Sequence, residues 1–446
     1  MQRRDAIKLM LGAGASVGVA ATMSGIVPTK ANAANKDITS NIVIMGAGLG
    51  GITLAAKLRN EAPNAKITLI DKDETFYYQP GFTLISVGEY TKDDVIFSKA
   101  DYIPDGAAWI KANVSAINPN ANELSLDNGQ SIKYDVLVIA SGVEYDFEAI
   151  KGLSIDDINA PSGNIASIYT LDGAVKTNAL MAEFAKNGGS FITAEQKTAM
   201  KCSGANKKVT FMSESRISRE GNQDKGNITL YVGGGKLFSD PTYAGVMAAM
   251  ATKRGIKFNL RHQIVEVDKA ANKAVFEFWT PYKENGEAKV AKEYIEAKYD
   301  YLHLAPKQKA SAIFKEAGLS TSALNFVDVN KKSLQSTKYP NIFAIGDVCN
   351  FPMGKTGASI RKMYPRLASN IIAHIKGQSL EEFYDGYTAC PFITQYGKAV
   401  MVEFNWSGTA SSMPCFGATR ESSINWLIKL YAFKPMVMRG MLKARA

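Results

Sequence analysis

The chain has 446 residues, 46% of them apolar and 21% charged, an ordinary globular composition long enough for two or three domains around a sizeable core. Four cysteines are too few for a disulfide-built scaffold, and three scattered histidines (His262, His303 and His374) without a Cys-x-x-Cys speak against a metal centre. The formal charge of +10 gathers toward the C-terminus without forming a basic stripe interleaved with aromatics, so no nucleic-acid surface is expected.

Residues 1–33 read as a signal peptide rather than as part of the fold. Arg3-Arg4 opens a charged segment, Leu9-Met10-Leu11 begins an apolar stretch rich in glycine and alanine, and Ala31-Asn32-Ala33 is a small-residue cleavage pattern. An ordinary secretory signal and an uncut N-terminal anchor are the alternatives. A twin-arginine route exports folded proteins, so a chain already loaded with its cofactor could reach the periplasmic side of a bacterial inner membrane. Removing this segment takes away Arg3, Arg4, Lys8 and Lys30 with Asp5 and lowers the charge from +10 to +7. No later apolar run is long enough to cross a bilayer.

The apolar run Asn41 to Met45 predicts a central parallel strand, and it feeds directly into Gly46-Ala47-Gly48-Leu49-Gly50-Gly51. A helix follows over Ile52 to Leu58, and a second strand, Lys66 to Ile70, ends at Asp71. This is a dinucleotide-binding fingerprint in its structural context. Gly46 permits the tight turn, Gly48 admits a pyrophosphate to the backbone, and Gly51 lets helix and strand pack. Asp71, 20 residues past Gly51, is placed for the ribose hydroxyls. Two later strands select FAD: Tyr134 to Ile139, ending in Ala140-Ser141-Gly142, and Asn341 to Ile345, ending in Gly346-Asp347. In flavoproteins with two dinucleotide-type domains the aspartate bonds the ribityl chain. Lys355 follows closely and is expected near the flavin ring.

Residues 38–150 with 320–375 therefore make a discontinuous FAD domain. Residues 155–315 make a second Rossmann-like domain. Its first strand, Gly189 to Thr193, has no glycine loop after it, and Gly233-Gly234-Gly235 reads as a turn, so no NAD(P) site is expected there. Residues 376–446 are a distinct tail. Its segments Asn425 to Lys434 and Met436 to Lys443 are short, apolar and basic, and suit a membrane interface; a dimer contact or a core-capping helix is the alternative.

The cysteines carry the chemistry. Cys202 lies in Lys201-Cys202-Ser203-Gly204-Ala205 and Cys390 in Tyr384-Asp385-Gly386-Tyr387-Thr388-Ala389-Cys390-Pro391. A flavin accepts two electrons and two thiols give up two on forming a disulfide, so FAD with these thiols has the parts for sulfur redox chemistry. Cys349 is expected to be a buried structural thiol, and Cys415 sits in a Met-Pro-Cys-Phe loop without an assigned role.

With these segments, Tyr77-Tyr78-Gln79-Pro80-Gly81-Phe82-Thr83-Leu84, Leu302-His303-Leu304-Ala305-Pro306 and Lys355-Thr356, most of residues 40–446 resembles sulfide:quinone oxidoreductase, particularly its mitochondrial branch. It departs where Lys307 replaces a common second proline. The resemblance implies a Cys202–Cys390 disulfide, direct or through a bridging sulfur. Hydrosulfide attacks it and leaves a persulfide, and two electrons pass to FAD and then to quinone. Lys201, Lys207, Lys208 and Lys355 are expected to favour anionic sulfur, although Lys207 and Lys208 suit a solvated pair equally. His303 either lines the pocket or is a hydrogen-bonded core histidine. The expected architecture is α/β, two Rossmann-like domains with an amphipathic C-terminal membrane-binding region; the expected partners are sulfide, quinone and a lipid surface, and a homo-oligomer is compatible. The alternatives are the flavoprotein subunit of a sulfide:cytochrome c oxidoreductase and a non-catalytic sulfur carrier or sensor.

Overall fold

A computed structural model describes residues 35–410 and 419–446. The signal-like residues 1–33 and the Cys415 loop lie outside the described residues. Two five-stranded sheets, both wholly parallel, organise the body. The first has the order Ile342–Ala344, Val136–Ile139, Asn41–Met45, Lys66–Ile70, Ala108–Ile110. The strand at Ile342–Ala344 arrives some 200 residues after its neighbour, so the chain leaves this sheet and returns to it. The second sheet runs Ile165–Ala166, Tyr301–Leu304, Gly189–Ala194, Gly226–Val232, Lys257–Leu260. Its order resembles the first: Gly189–Ala194 stands at the centre with the next two strands to one side, while the other side takes the later Tyr301–Leu304 and, at the edge, the earlier Ile165–Ala166.

Burial on both faces explains why these strands read as apolar runs rather than alternating ones. Ile42, Val43, Ile44 and the whole of Val136–Ile139 are buried. The helix Leu49–Glu61 covers them through Ile52, Leu54, Ala55 and Leu58. In the second sheet the helices Leu171–Asn187 and Ala205–Arg219 do the same work.

Beyond the helix Gly357–Ile375 the chain forms an antiparallel hairpin, Thr388–Gln395 with Lys398–Asn405. Phe392 of this hairpin meets Phe211 of the helix Ala205–Arg219 edge-on at 5.5 Å. Arg254 bonds the Thr394 carbonyl and pairs with Glu421 at 2.6 Å, which pins the hairpin and the start of the tail to the second domain.

The tail corrects one expectation. Among the apolar side chains assigned to lipid, Trp426, Leu430, Met438 and Leu442 are buried in the main core, Leu427 is half-buried against it, and Phe433 is half-buried on the cavity wall. Each buried side chain of this size is already worth about 1.5–3 kcal/mol inside the protein, so it gains little from a bilayer. The tail is held down by Tyr90 on the Leu430 carbonyl (2.5 Å), Lys434 on Asp94 (3.1 Å) and Lys443 on the Asp101 carbonyl (2.8 Å). No helix among the described residues is long and apolar enough to cross a membrane.

Candidate active site

The strand Asn41–Met45 delivers its chain into a glycine turn beneath a large cavity. Gly46 has φ +106°, and a Cβ there would come within 2.6 Å of the Ala140 carbonyl oxygen. A Cβ on Gly51 would meet the Gly46 carbonyl oxygen at 1.9 Å, so helix and turn can approach only without side chains. A Cβ on Gly48 would meet nothing, because that backbone faces the cavity.

Asp71 closes this end. Its carboxylate accepts the Ala47 amide at 2.7 Å and pairs with Lys99 at 2.8 Å. A carboxylate has about four lone-pair sites, so it retains capacity for a ribose. Ser141 and Gly142 form the opposite lip, and Gly346 and Asp347 line the middle.

The cavity, about 770 Å³, continues to the two cysteines. Its wall includes both cysteines and every residue predicted to hold the cofactor except Gly51, which sits beneath the turn; Lys207 and His303 are also absent from it. The size is in the upper part of the roughly 300–1,000 Å³ usual for cofactor sites. An elongated space with a glycine cradle and acid at one end and redox-capable sulfur at the other fits FAD.

Cys202 and Cys390 come from segments 188 residues apart and meet with their sulfurs at 3.8 Å. Cys202 follows the strand Gly189–Ala194 and precedes the helix Ala205–Arg219, with φ +50°, an uncommon conformation for a side chain. It is held from both sides. Its amide donates to the Lys355 carbonyl at 2.9 Å, and its carbonyl accepts the Ala205 amide at 2.7 Å. Tyr169 bonds the Lys201 carbonyl at 3.0 Å. The first turn of the helix lies beside Cys390: a Cβ on Gly204, the residue before the helix, would lie 3.7 Å from that sulfur.

The two thiols are unequal. The Cys202 thiol donates to Cys390, Lys208 lies 2.9 Å from the same sulfur, and together they hold Cys390 well below the ordinary thiol range against the effect of burial. The shared hydrogen bond and burial push Cys202 the opposite way. Cys390 is thus the sulfur favoured to carry negative charge and Cys202 the one favoured to keep its proton, the arrangement that makes a reactive cysteine.

The lysines divide. Lys207 is buried in an ion pair with Glu195 at 2.6 Å and braces the Ser203 carbonyl, whereas Lys208 faces Cys390, so a solvated pair is ruled out. Burial works against charge on Lys208, but the sulfur anion outweighs it and holds the ammonium above its usual range. Lys201 bonds Gln79 and Tyr145 and stands 3.9 Å from Asp347. Lys355 donates at 2.6 Å to the carbonyls of Asp347 and Cys349, and burial pushes it down to about 8. Through its own carbonyl it also ties the central segment to Cys202.

His303 is a core histidine. Its Nε2 accepts the Ile168 amide at 3.0 Å and its Nδ1 donates to Asn206 at 2.6 Å, and burial lowers it to about 3. Cys349 is fully buried, and burial raises its thiol to about 12. Sequence reasoning missed Lys429. It comes from the tail, lines the cavity and donates to the Pro80 carbonyl at 2.8 Å. Nothing in the spacing of a basic amphipathic segment distinguishes this inward lysine from its exposed neighbours. No group of metal ligands occurs among the described residues.

Two dinucleotide-type sheets, one glycine cradle and a dithiol at the far end of a shared cavity define a flavin-linked dithiol–disulfide oxidoreductase. The family model described as pyridine nucleotide-disulphide oxidoreductase matches residues 40–374. The chain is 33% identical over 411 residues to the mitochondrial sulfide:quinone oxidoreductase of Dictyostelium discoideum, covering 92% of this chain and 87% of that one. It is 31% identical over 407 residues to the mouse mitochondrial enzyme, covering 90% and 86%. The crystal structure of the sulfide:quinone oxidoreductase from Aquifex aeolicus superposes with a TM-score of 0.74 at 21% identity, covering 91% of this chain and 92% of that one. The chain belongs to the sulfide:quinone oxidoreductase family, and FAD is its cofactor.

Proposed function

We propose that this chain oxidises sulfide at Cys202 and Cys390 and passes the electrons through FAD to a membrane quinone. The observation that carries this reading is the sulfur pair 3.8 Å apart on the wall of the cavity, with Lys208 at 2.9 Å from one of them. In the oxidised pair, hydrosulfide forms a bond to one cysteine sulfur and the S–S bond breaks. That sulfur becomes a persulfide, and the other leaves as a thiolate. Lys208 stabilises the negative charge that develops, and the N-terminus of the helix Ala205–Arg219 adds to it. FAD, when bound, accepts two electrons from the thiol chemistry and yields them to quinone. Gly46 and Gly48 would cradle its pyrophosphate, with Gly51 letting the helix close on the turn. Asp71 would hold its ribose and Asp347 its ribityl chain, with Ser141 and Gly142 beside the glycine turn and Gly346 and Lys355 toward the ring.

In this reading residues 38–150 with 320–375 hold FAD, residues 155–315 supply Cys202 and Lys208, and residues 376–446 supply Cys390. The test is steady-state reduction of a short-chain quinone analogue by sulfide with FAD-loaded protein. Turnover is expected. Reduction of cytochrome c alone, or binding of sulfide without turnover, would overturn the quinone reading.

A peripheral membrane contact belongs to the same proposal. Tyr77 and Ile96 face each other across a pair of three-residue antiparallel strands and are 42% and 40% exposed. Tyr77 shares the cavity wall with Phe433 and Met436 of the tail, so an apolar cavity edge adjoins an exposed apolar surface. Arg439, Lys443 and Arg445 are exposed nearby in sequence and suit anionic headgroups. The contact would lie on the periplasmic face if residues 1–33 act as a twin-arginine signal; export should then fail in the Arg3→Lys/Arg4→Lys variant. Ile96→Asp, combined with Ile424→Asp at the 50%-exposed start of the tail, should abolish flotation with liposomes and slow turnover of a long-chain quinone, while sulfide still bleaches the flavin. Unchanged flotation would remove lipid from the proposal.

A further inference from the structure

The sulfur pair has two buried cations beside it and one anion. Lys208 and Lys429 are 2% and 3% exposed, and both line the cavity with Cys202 and Cys390. The charges acting on Lys429 are Lys208, which repels it, and the two cysteines, which attract its ammonium; its hydrogen-bond partner is the neutral carbonyl of Pro80. On Lys208 the acting groups are Cys390 and Cys202. Neither lysine forms an ion pair with a carboxylate among the described residues. The Cys390 thiolate is therefore the counter-ion of both.

Burial, followed by repulsion from Lys208, already pushes Lys429 down to about 8 while the thiolate is present. Oxidation takes that anion away. The Cys390 thiolate and the Cys202 thiol form one S–S bond and release two electrons and the Cys202 proton. Two buried ammonium groups would then line one cavity without a paired carboxylate, an arrangement that a low-dielectric site resolves by neutralising one of them. Lys208, in contact with the sulfur of Cys390, is the partner of the charge that reforms there. We infer that Lys429 gives up its proton when the cysteine pair is oxidised and, as a neutral amine, takes a proton from hydrogen sulfide arriving at the disulfide.

The cycle balances. Hydrogen sulfide and the Lys429 amine become hydrosulfide and an ammonium. Hydrosulfide bonds one cysteine sulfur, the S–S bond breaks, and the departing thiolate again neutralises the lysine cluster. The second half rests on the sulfide reading; the first half, proton release on oxidation, does not.

The two halves can be tested separately. FAD-loaded protein is poised in dithiothreitol redox buffers between pH 6.5 and 7.5, and the Cys202/Cys390 state is counted by mass-tag alkylation. Each coupled proton changes the equilibrium constant tenfold per pH unit, about 30 mV for a two-electron couple. The wild type should take up two protons per disulfide reduced, a midpoint falling by about 59 mV per pH unit. Lys429→Met should take up one, and so should Lys429→Arg, which keeps the charge without releasing it and covers the case in which the methionine variant does not fold. One proton in the wild type, or two in the arginine variant, overturns the inference.

In the second arm, sulfide-dependent flavin reduction by Lys429→Arg should be at least about tenfold slower than wild type at pH 6.5 and converge on it as hydrosulfide comes to predominate. A constant ratio at all pH values overturns the proton-acceptor role. If wild-type flavin is not reduced by sulfide at all, the functional reading fails while the proton count still stands or falls on the first arm.

Discussion

The two parallel sheets share one plan and have been put to different uses. At the end of the strand Asn41–Met45 stands a glycine cradle opening onto the cavity; at the matching end of Gly189–Ala194 stands the segment Glu195 to Gly204, which carries Cys202. In the second sheet the place where a dinucleotide would lie is packed shut. A Cβ on Gly233 would meet the Lys197 amide nitrogen at 2.5 Å, Trp279 donates to the Gly233 carbonyl at 2.8 Å, and the Lys197 ammonium covers the Trp279 ring at 3.5 Å. The first turn of the helix that elsewhere receives a phosphate here supplies Lys208 to a cysteine sulfur. The comparison shows how one topology exchanges the anion it serves.

The largest expected effect comes from removing the anion. Cys202→Ser and Cys390→Ser should each retain FAD and lose sulfide-dependent flavin reduction by about a thousandfold or more, measured anaerobically at the flavin band. Normal bleaching in either variant would detach the second sheet from the chemistry.

The glycines should separate the two sheets next. Gly51→Ala forces a Cβ against the Gly46 carbonyl and should weaken FAD binding by on the order of a hundredfold, seen as loss of bound flavin on gel filtration. Gly234→Ala, whose Cβ would meet nothing within 4 Å, should keep its flavin. Equal flavin loss in both would erase the distinction. By the same logic NADH and NADPH should reduce the flavin at less than about one hundredth of the sulfide rate, because the second sheet has no backbone cradle; rapid reduction by either would show that the packed crevice opens.

A smaller effect belongs to Lys208. Replacing it with Met removes the cation beside Cys390, so the thiol should rise and its alkylation by iodoacetamide at pH 6 should slow about tenfold. An unchanged rate would assign the low Cys390 value to Cys202 and the helix alone.

The smallest concerns stability. His303 is held neutral by burial at about 3, below its unfolded value of about 6.5. As pH falls through 6.5 the unfolded chain takes up this proton and the folded chain does not, so stability present above 6.5 is lost on acidification at up to about 1.4 kcal/mol per pH unit. His303→Gln should flatten denaturant midpoints between pH 6.5 and 5 relative to wild type. Parallel curves would mean that the histidine titrates in the folded state.

Local sequence was sufficient for the parts whose chemistry is local. The apolar run, glycine turn and Asp71 are contiguous or at fixed spacing, since a strand, turn and helix impose them. Ser141-Gly142 and Gly346-Asp347 were legible because each ends a buried strand. The missing glycine loop after Gly189–Ala194 was legible for the same reason. Tertiary structure decided what depends on distance through space. It brought Cys390 to Cys202 across 188 residues, aimed Lys208 at sulfur and Lys207 at Glu195 although they are adjacent, and turned Lys429 inward. The tail shows the limit most plainly. Its pattern of Trp, Leu, Met and Lys is equally suited to a lipid interface or a protein groove, because both reward burial of the same apolar area, and only the fold supplied the groove.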